Sequence, residues 1–151
     1  VGQMNPDVTP SGFRFCSPKL EDAGKWAEIY SDAFGKNKSA ESVAHEFQGA
    51  EFAPEHYLLC VDETGESIGL ICAINRDNHA RIPTIAVKRK WQRRGVGRAI
   101  LNEMLRRLQA EGAVDVRLSV ESCNGAALTL YEQFGFEPEY RRIHYRTIFT
   151  K

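Results

Sequence analysis

The chain has 151 residues, 42% of them hydrophobic and 26% charged, with a formal net charge of zero, the balance of a folded globular protein rather than a disordered or fibrous one. No apolar run reaches the roughly 20 residues of a membrane span, and the first dozen residues lack the basic start and apolar stretch of a secretion signal. Four cysteines without close pairing, Cys16, Cys60, Cys72 and Cys123, read as buried reduced thiols, which favours a cytoplasmic protein and makes Asn37-Lys38-Ser39 a chance sequon.

Residues 1–12 carry two prolines and little apolar content and read as a flexible tail, leaving residues 13–151 as one domain. A short strand is expected at 13–16. Ser17-Pro18 then caps a helix running to Phe34, with Leu20, Ala23, Ala27, Ile29, Tyr30 and Phe34 at helical spacing and Gly35 as its stop. A shorter helix is expected over 39–48, capped by Ser39 and carrying Val43, Ala44 and Phe47 on one side. Residues 56–61 and 67–74 are rich in strand formers and flank the turn-like 62–66, so they predict a hairpin. A third central strand, 82–87, follows the turn-like 76–79. Ile100, Leu101, Met104, Leu105 and Leu108 form a helical stripe ending at Gly112. A strand over 114–121, a helix over 125–134 ending at Gly135, and strands at 140–142 and 145–150 complete a mixed α/β domain without internal repeats.

The charges are unevenly placed. Residues 21–66 hold eleven acids against three bases, whereas residues 80–102 hold seven bases and no acid. With zero net charge overall, a small polyanionic ligand fits that basic stretch better than nucleic acid does. Its core is Gln92-Arg93-Arg94-Gly95-Val96-Gly97-Arg98, between a strand and a helix. The first turn of a helix has N–H groups without internal acceptors, and phosphate oxygens are their natural partners. Gly95 and Gly97 remove side chains that would hold a ligand off the backbone, and Arg93, Arg94 and Arg98 supply charge-assisted hydrogen bonds. The helix dipole adds only about 0.3–1 kcal/mol, so direct bonds must carry most of the affinity. The pattern is not a P-loop, because no glycine precedes Lys and then Ser or Thr. A dinucleotide fingerprint would need a small residue where Ile100 stands and an acid better placed than Asp115. A glycine loop that serves only a turn remains the structural alternative.

A second block, Asn124-Gly125-Ala126-Ala127-Leu128-Thr129-Leu130-Tyr131-Glu132-Gln133-Phe134-Gly135-Phe136, follows one strand later. Together, Ile85-Ala86-Val87 with Gln92-x-x-Gly95-x-Gly97, and Asn124, Ala127, Tyr131 and Gly135-Phe136, resemble the GNAT superfamily of acetyl-CoA-dependent N-acetyltransferases over about the C-terminal 70 residues. The resemblance implies a mixed, mostly antiparallel sheet flanked by helices and splayed between the strand ending at Val87 and the strand of residues 114–121. It implies that main-chain groups of Ile85, Ala86 and Val87 pair with the pantetheine arm of acetyl-CoA. Gln92 and the amides of Arg93, Arg94, Gly95, Val96, Gly97 and Arg98 would hold the pyrophosphate, Asn124 would bond the arm, and Tyr131 would stand near the sulfur as general acid. Asn124 is equally suited to cap the following helix, and Tyr131 to serve as a core residue of that helix.

Transfer to an amine needs a base, donors for the developing oxyanion and a proton for the departing thiolate. Val87 N–H is the candidate donor by resemblance. In relatives that acetylate protein N-termini, a glutamate usually stands where this chain has Ser119. Glu121 projects to the same side and is the candidate base, with a solvated surface carboxylate as its alternative. The expected acceptor is a primary amine of a small molecule or a peptide N-terminus, with a cationic acceptor favoured by the acidic residues before Val87. The alternatives are a ribosomal-protein alanine type of acetyltransferase and a non-catalytic acyl-CoA-binding regulatory module. No metal, nucleic-acid or membrane partner is expected, since His45-Glu46 lacks the second histidine of a zinc site; a homodimer is left open. Trp26 and Trp91 read as packing residues.

Overall fold

The computed structural model of the protein describes residues 12–119, 131–138 and 144–149. Among these, seven strands form one sheet in the order β1-β2-β3-β4-β5-β7-β6. They are β1 Arg14–Cys16, β2 Tyr57–Val61, β3 Ser67–Arg76, β4 His79–Val87, β5 Asp115–Ser119, β6 Glu137–Pro138 and β7 His144–Ile148. The β4/β5 pair is parallel and every other pair is antiparallel.

Two apolar clusters clamp the sheet. On one face, α1 (Ala23–Phe34) and α2 (Ala40–Phe47) bury Trp26, Ile29, Val43 and Phe47 against Tyr57, Leu59, Leu70, Cys72 and Ala86. On the other, α3 (Val96–Ala110) lays Ile100, Leu101, Met104, Leu105 and Leu108 on Leu58, Cys60, Ile71, Ala80, Ile82, Val116 and Leu118. Those five side chains are fully buried, each contributing about 1.5–3 kcal/mol of transfer free energy. Tyr131, Phe134 and Phe136 join the α3 cluster.

Several elements begin elsewhere than their sequence suggests. The first helix does not start at Pro18: Leu20–Asp22 form a 3-10 turn and α1 begins at Ala23. Lys19 is extended, and its N–H donates to Asp22 Oδ2 at 2.8 Å, so the cap lies at Lys19, two residues past Ser17, and Leu20 is left 49% exposed. Gly35 does end α1, in the left-handed region at φ 63° with its N–H on Ser31 O. Ser39 caps α2 through Ser42 N–H. His56 belongs to a 3-10 turn before β2, held by two bonds from its Nε2 to Glu111 of 2.7 and 2.9 Å.

The 62–66 hairpin turn forms around Asp62 Oδ1, which accepts from Thr64 N–H, Thr64 Oγ1 and Glu66 N–H. The β3/β4 turn is tighter than expected. Only Asp77 and Asn78 lie in it, at φ 54° and 68°, while Arg76 and His79 pair as strand ends, so β4 starts three residues early. Asp and Asn tolerate the left-handed pair that a two-residue hairpin needs. Strand β5 begins at Asp115 rather than Val114, and β7 spans His144–Ile148. Cys60 and Cys72 are buried as expected, but Cys16 is exposed on the edge strand. Cys123, residues 120–130 and residues 139–143 lie outside the described residues, as does the tail through residue 11. No helix among the described residues is long and apolar enough to cross a membrane.

Candidate functional site

One irregularity in β4 creates the opening on which the site depends. Cys72 pairs with Thr84 and Ile74 with Arg81, so Ala73 stands opposite both Ile82 and Pro83. The extra residue inverts the facing of everything after it. Ala80 and Ile82 point into the α3 cluster before the bulge; Ile85 and Val87 do so after it, while Ala86 turns to the α1/α2 cluster. Pro83 has no N–H to continue a ladder. The parallel pairing with β5 accordingly ends at Ile82 and Leu118, and among the described residues the strand from Thr84 to Val87 pairs only with β3. Among the described residues, the sheet therefore splays beside Ile85, Ala86 and Val87.

The chain then turns sharply into the glycine loop. Lys88 N–H donates to Ile68 O at 2.9 Å and Arg89 N–H to Asp32 Oδ2 at 2.7 Å, anchoring the turn to β3 and α1. Gln92 Nε2 donates to Val87 O at 3.1 Å, a bond that clips the loop to the end of β4 and gives Gln92 a local structural role. Arg93 adopts φ 63°, a left-handed conformation at a non-glycine residue costing about 1–2 kcal/mol. Gly95 caps α3 at φ 83°. Arg93, read from the sequence as a phosphate ligand, thus shares with Gly95 the backbone reversal that leads into the first turn of α3, where the amides of Val96, Gly97 and Arg98 have no acceptor within the helix. These amides and the unpaired stretch of β4 are the two main-chain features that a phosphate-bearing, strand-like ligand arm requires.

The basic side chains are distributed unequally. Arg93 is exposed. Arg94 lies over the Trp91 ring at 5.3 Å, and Trp91 packs edge-on to Phe13 at 5.8 Å. Arg98 bonds Gln133 and sits 5.8 Å from the centre of the Phe134 ring, tying the start of α3 to the segment that carries Tyr131. Lys88 and Lys90, which looked available in the sequence, are engaged by Glu28 and Glu66. These four residues line a surface cavity of about 380 Å³ together with Lys25, Gly65 and Ser67. The acidic and basic stretches of the chain thus meet in space at Glu28, Glu66, Lys88 and Lys90, so a part of the acids before Val87 is consumed by those contacts.

Tyr131 is 6% exposed, and burial raises its phenol above the usual range. It occupies the same cluster against which Ile85 and Val87 pack. Its helix ends in a Schellman arrangement: Phe136 N–H reaches Tyr131 O at 3.1 Å and Gly135 N–H reaches Glu132 O at 3.0 Å, with Gly135 at φ 82°. The accompanying apolar contact is Tyr131 against Phe136, ring centres 6.2 Å apart. Asn124 and Glu121 lie outside the described residues. Ser119 is paired in backbone register with His144 on β7. That juxtaposition crosses 25 residues of chain and left no trace in local sequence patterns.

Comparison with known proteins agrees with this geometry. The profile described as "Acetyltransferase (GNAT) family" matches residues 24–136. A [ribosomal protein bS18]-alanine N-acetyltransferase of Salmonella typhimurium is 41% identical over 71 residues, 46% of this chain and 48% of that protein. A mycothiol acetyltransferase of Clavibacter michiganensis is 28% identical over 142 residues, 91% of this chain and 46% of that protein. The matches thus span about half the length of these curated relatives. Among solved structures, the PaiA N-acetyltransferase of Thermoplasma acidophilum in complex with coenzyme A superposes with a TM-score of 0.68 at 16% identity, covering 91% of this chain and 99% of that one. With the splayed sheet, the glycine-capped helix and a profile match across most of its length, the chain belongs to the acetyltransferase (GNAT) family.

Proposed function

We propose that residues 13–151 form one N-acetyltransferase domain that moves an acetyl group from acetyl-CoA to a primary amine in the cytoplasm, with residues 1–12 as its tail. The observation that carries this reading is that, among the described residues, β4/β5 pairing ends at Ile82 and Leu118 while β4 runs on to Val87, ahead of the glycine-capped start of α3. Main-chain groups of Ile85, Ala86 and Val87 hold the pantetheine arm, and the amides of Arg93, Arg94, Gly95, Val96, Gly97 and Arg98 hold the pyrophosphate. The bound thioester supplies the acyl carbon. Val87 N–H is the donor for its carbonyl oxygen, and Tyr131 is the proton source for the thiolate. His144, which the register sets opposite Ser119, is the candidate base alongside Glu121. The named activities of the relatives support two acceptor classes, a peptide N-terminus and a small amine.

Calorimetry with acetyl-CoA tests the central claim. Saturable binding that raises Tm is expected, a ligand at 100 times Kd adding about 2.7 kcal/mol. Gly97→Asp should abolish that binding without unfolding the chain, because an acid at a helix start favours the helix while repelling phosphate. No heat at millimolar acetyl-CoA, or wild-type affinity in the variant, would overturn the assignment.

A further inference from the structure

Three arginines stand side by side across the sheet just below the splay. Arg81 on β4 is in register with Arg117 on β5, and Arg117 with Arg146 on β7; Glu137 on β6 follows at the edge. Direct cross-strand partners point to the same face. It is the face opposite α3, since the alternate residues Ala80, Ile82, Val116 and Leu118 are buried in the α3 cluster. The α1/α2 cluster reaches only as far as Ala86 of β4 and does not include these arginines. Arg81 is exposed, and the Arg117 and Arg146 side chains are 41% and 38% exposed.

In the row beneath, Asp115 is 1% exposed and ties the base of the patch together. Its carboxylate meets His79 Nδ1 at 2.8 Å, Arg117 Nη1 at 3.3 Å and Arg146 Nη2 at 2.8 Å. Asp115 thus fixes two of the three guanidinium groups in place. Arg81 has Arg117 on one side of its row and Ile74 on the other. Like charges directly opposite on a sheet are destabilising; Arg117 already has Asp115, so it is Arg81, which has no carboxylate partner among the described residues, that gains from an anion laid across the row.

Resting on the acetyltransfer reading above, we infer that this arginine row recognises the acceptor, and that the acceptor is an extended peptide carrying acidic side chains a few residues after its reactive N-terminus. With α3 and Tyr131 filling the opposite face, the acceptor reaches the splay from the arginine face. Arg81 lies six residues before Val87, about 20 Å of extended strand. A free amino acid is shorter than that, whereas an extended peptide of about six residues running along the open face spans it, and the reach of the Arg and carboxylate side chains brings positions four to six within range. Carboxylates at those positions meet the guanidinium groups in charge-assisted, bidentate geometry. The acids before Val87, which taken as a stretch of sequence point to a cationic acceptor, are in part paired with Lys88, Lys90 and Arg76, so the sign of the open face decides the acceptor's charge.

The test uses C-terminally labelled peptides beginning with alanine and bearing Glu, Gln or Lys at positions four to six. Their binding to the full chain with coenzyme A present is read by anisotropy, and acetyl transfer to them by free-thiol release. The Glu peptide should bind at least about tenfold tighter than the Gln peptide. Arg81→Gln should shrink that advantage to under about threefold with unchanged Tm and unchanged acetyl-CoA affinity, and Arg81→Glu should shift preference to the Lys peptide. Equal binding of Glu and Gln peptides, or a preference that survives both variants, overturns the inference while leaving acetyl transfer intact. Glu-dependent binding lost in Arg81→Gln, in a protein that ignores acetyl-CoA, supports the arginine row and removes the enzymatic reading. An oligonucleotide whose binding depends on Arg81 where the Glu peptide does not bind makes the patch a nucleic-acid surface and overturns the inference.

Discussion

Tyr131 has two duties that one substitution separates. Its ring completes the apolar cluster under Ile85 and Val87 and seats Phe136 at the helix stop, and its hydroxyl is the proposed acid. Burial raises its pKa, which makes the phenol a weaker acid and widens its mismatch with a thiol near 8.5. Transfer of the proton therefore depends on a hydrogen bond in the bound complex. Tyr131→Phe keeps the packing volume, so Tm and acetyl-CoA affinity should change little while kcat falls by about 10²–10⁴. A drop below about threefold at every pH would leave Tyr131 a packing residue and water the acid. The base is testable in the same assay: His144→Gln should lower kcat/KM and remove an acid-side limb of its pH profile, and an unchanged profile would return the role to Glu121 or to solvent. Ser119 was readable as a missing glutamate, but His144 was not readable as its neighbour. Strand register is set by pairing over the whole sheet and leaves no local signature.

The seating of α3 on β3 couples the fold to the glycine loop. Gly69 lies beneath the first turns of α3: a Cβ built there would stand 2.5 Å from Ile100 Cδ1 and 3.3 Å from both Val96 Cγ1 and Ala86 O. Ile100 is fully buried and Val96 nearly so, so the Ile100 δ-methyl can make room only by turning into packed surroundings or by shifting the helix. Gly69→Ala should cost about 1–3 kcal/mol by overpacking, read as a lower urea midpoint. Because Val96 is the first residue of α3, the same change should weaken acetyl-CoA binding. Lost stability with unchanged affinity would show that the phosphate loop is positioned independently of β3. The stripe of α3 was legible because a helix repeats its buried face every three to four residues. The bulge at Pro83 was not, since a proline inside a strand run signals an edge or a bulge without saying which. The partner residues in β3 decide it.

Across the molecule, folding has placed groups whose ionisation the interior resists. Burial pushes the Cys60 and Cys72 thiols up to about 12 from a usual 9.0. The sign follows from linkage: a pKa raised in the folded state contributes stability that is complete below pH 9 and is lost as pH rises from 9 through about 12. Under reducing conditions, the urea midpoint should therefore fall between pH 8 and pH 10.5. A Cys60→Ala/Cys72→Ala variant, less stable at neutral pH because of its cavities, should show a flatter decline. Parallel slopes for the two proteins would mean that other groups govern the alkaline limit.

Chain order, the two helical stripes, the hairpin and the glycine-capped start of α3 could all be read along the sequence, because each rests on residues within a few positions of one another. Gly35 and Gly95 stop or start helices through their own φ, and the α3 stripe through its own period. What the charges do could not be read that way. The acidic stretch and the basic stretch that looked like separate surfaces meet as Glu28, Glu66, Lys88 and Lys90. The arginines that form one row, Arg81, Arg117 and Arg146, stand far apart in the chain. Coulomb interactions act through space, so only the pairing of distant strands decides which charges neutralise one another and which are gathered into one row.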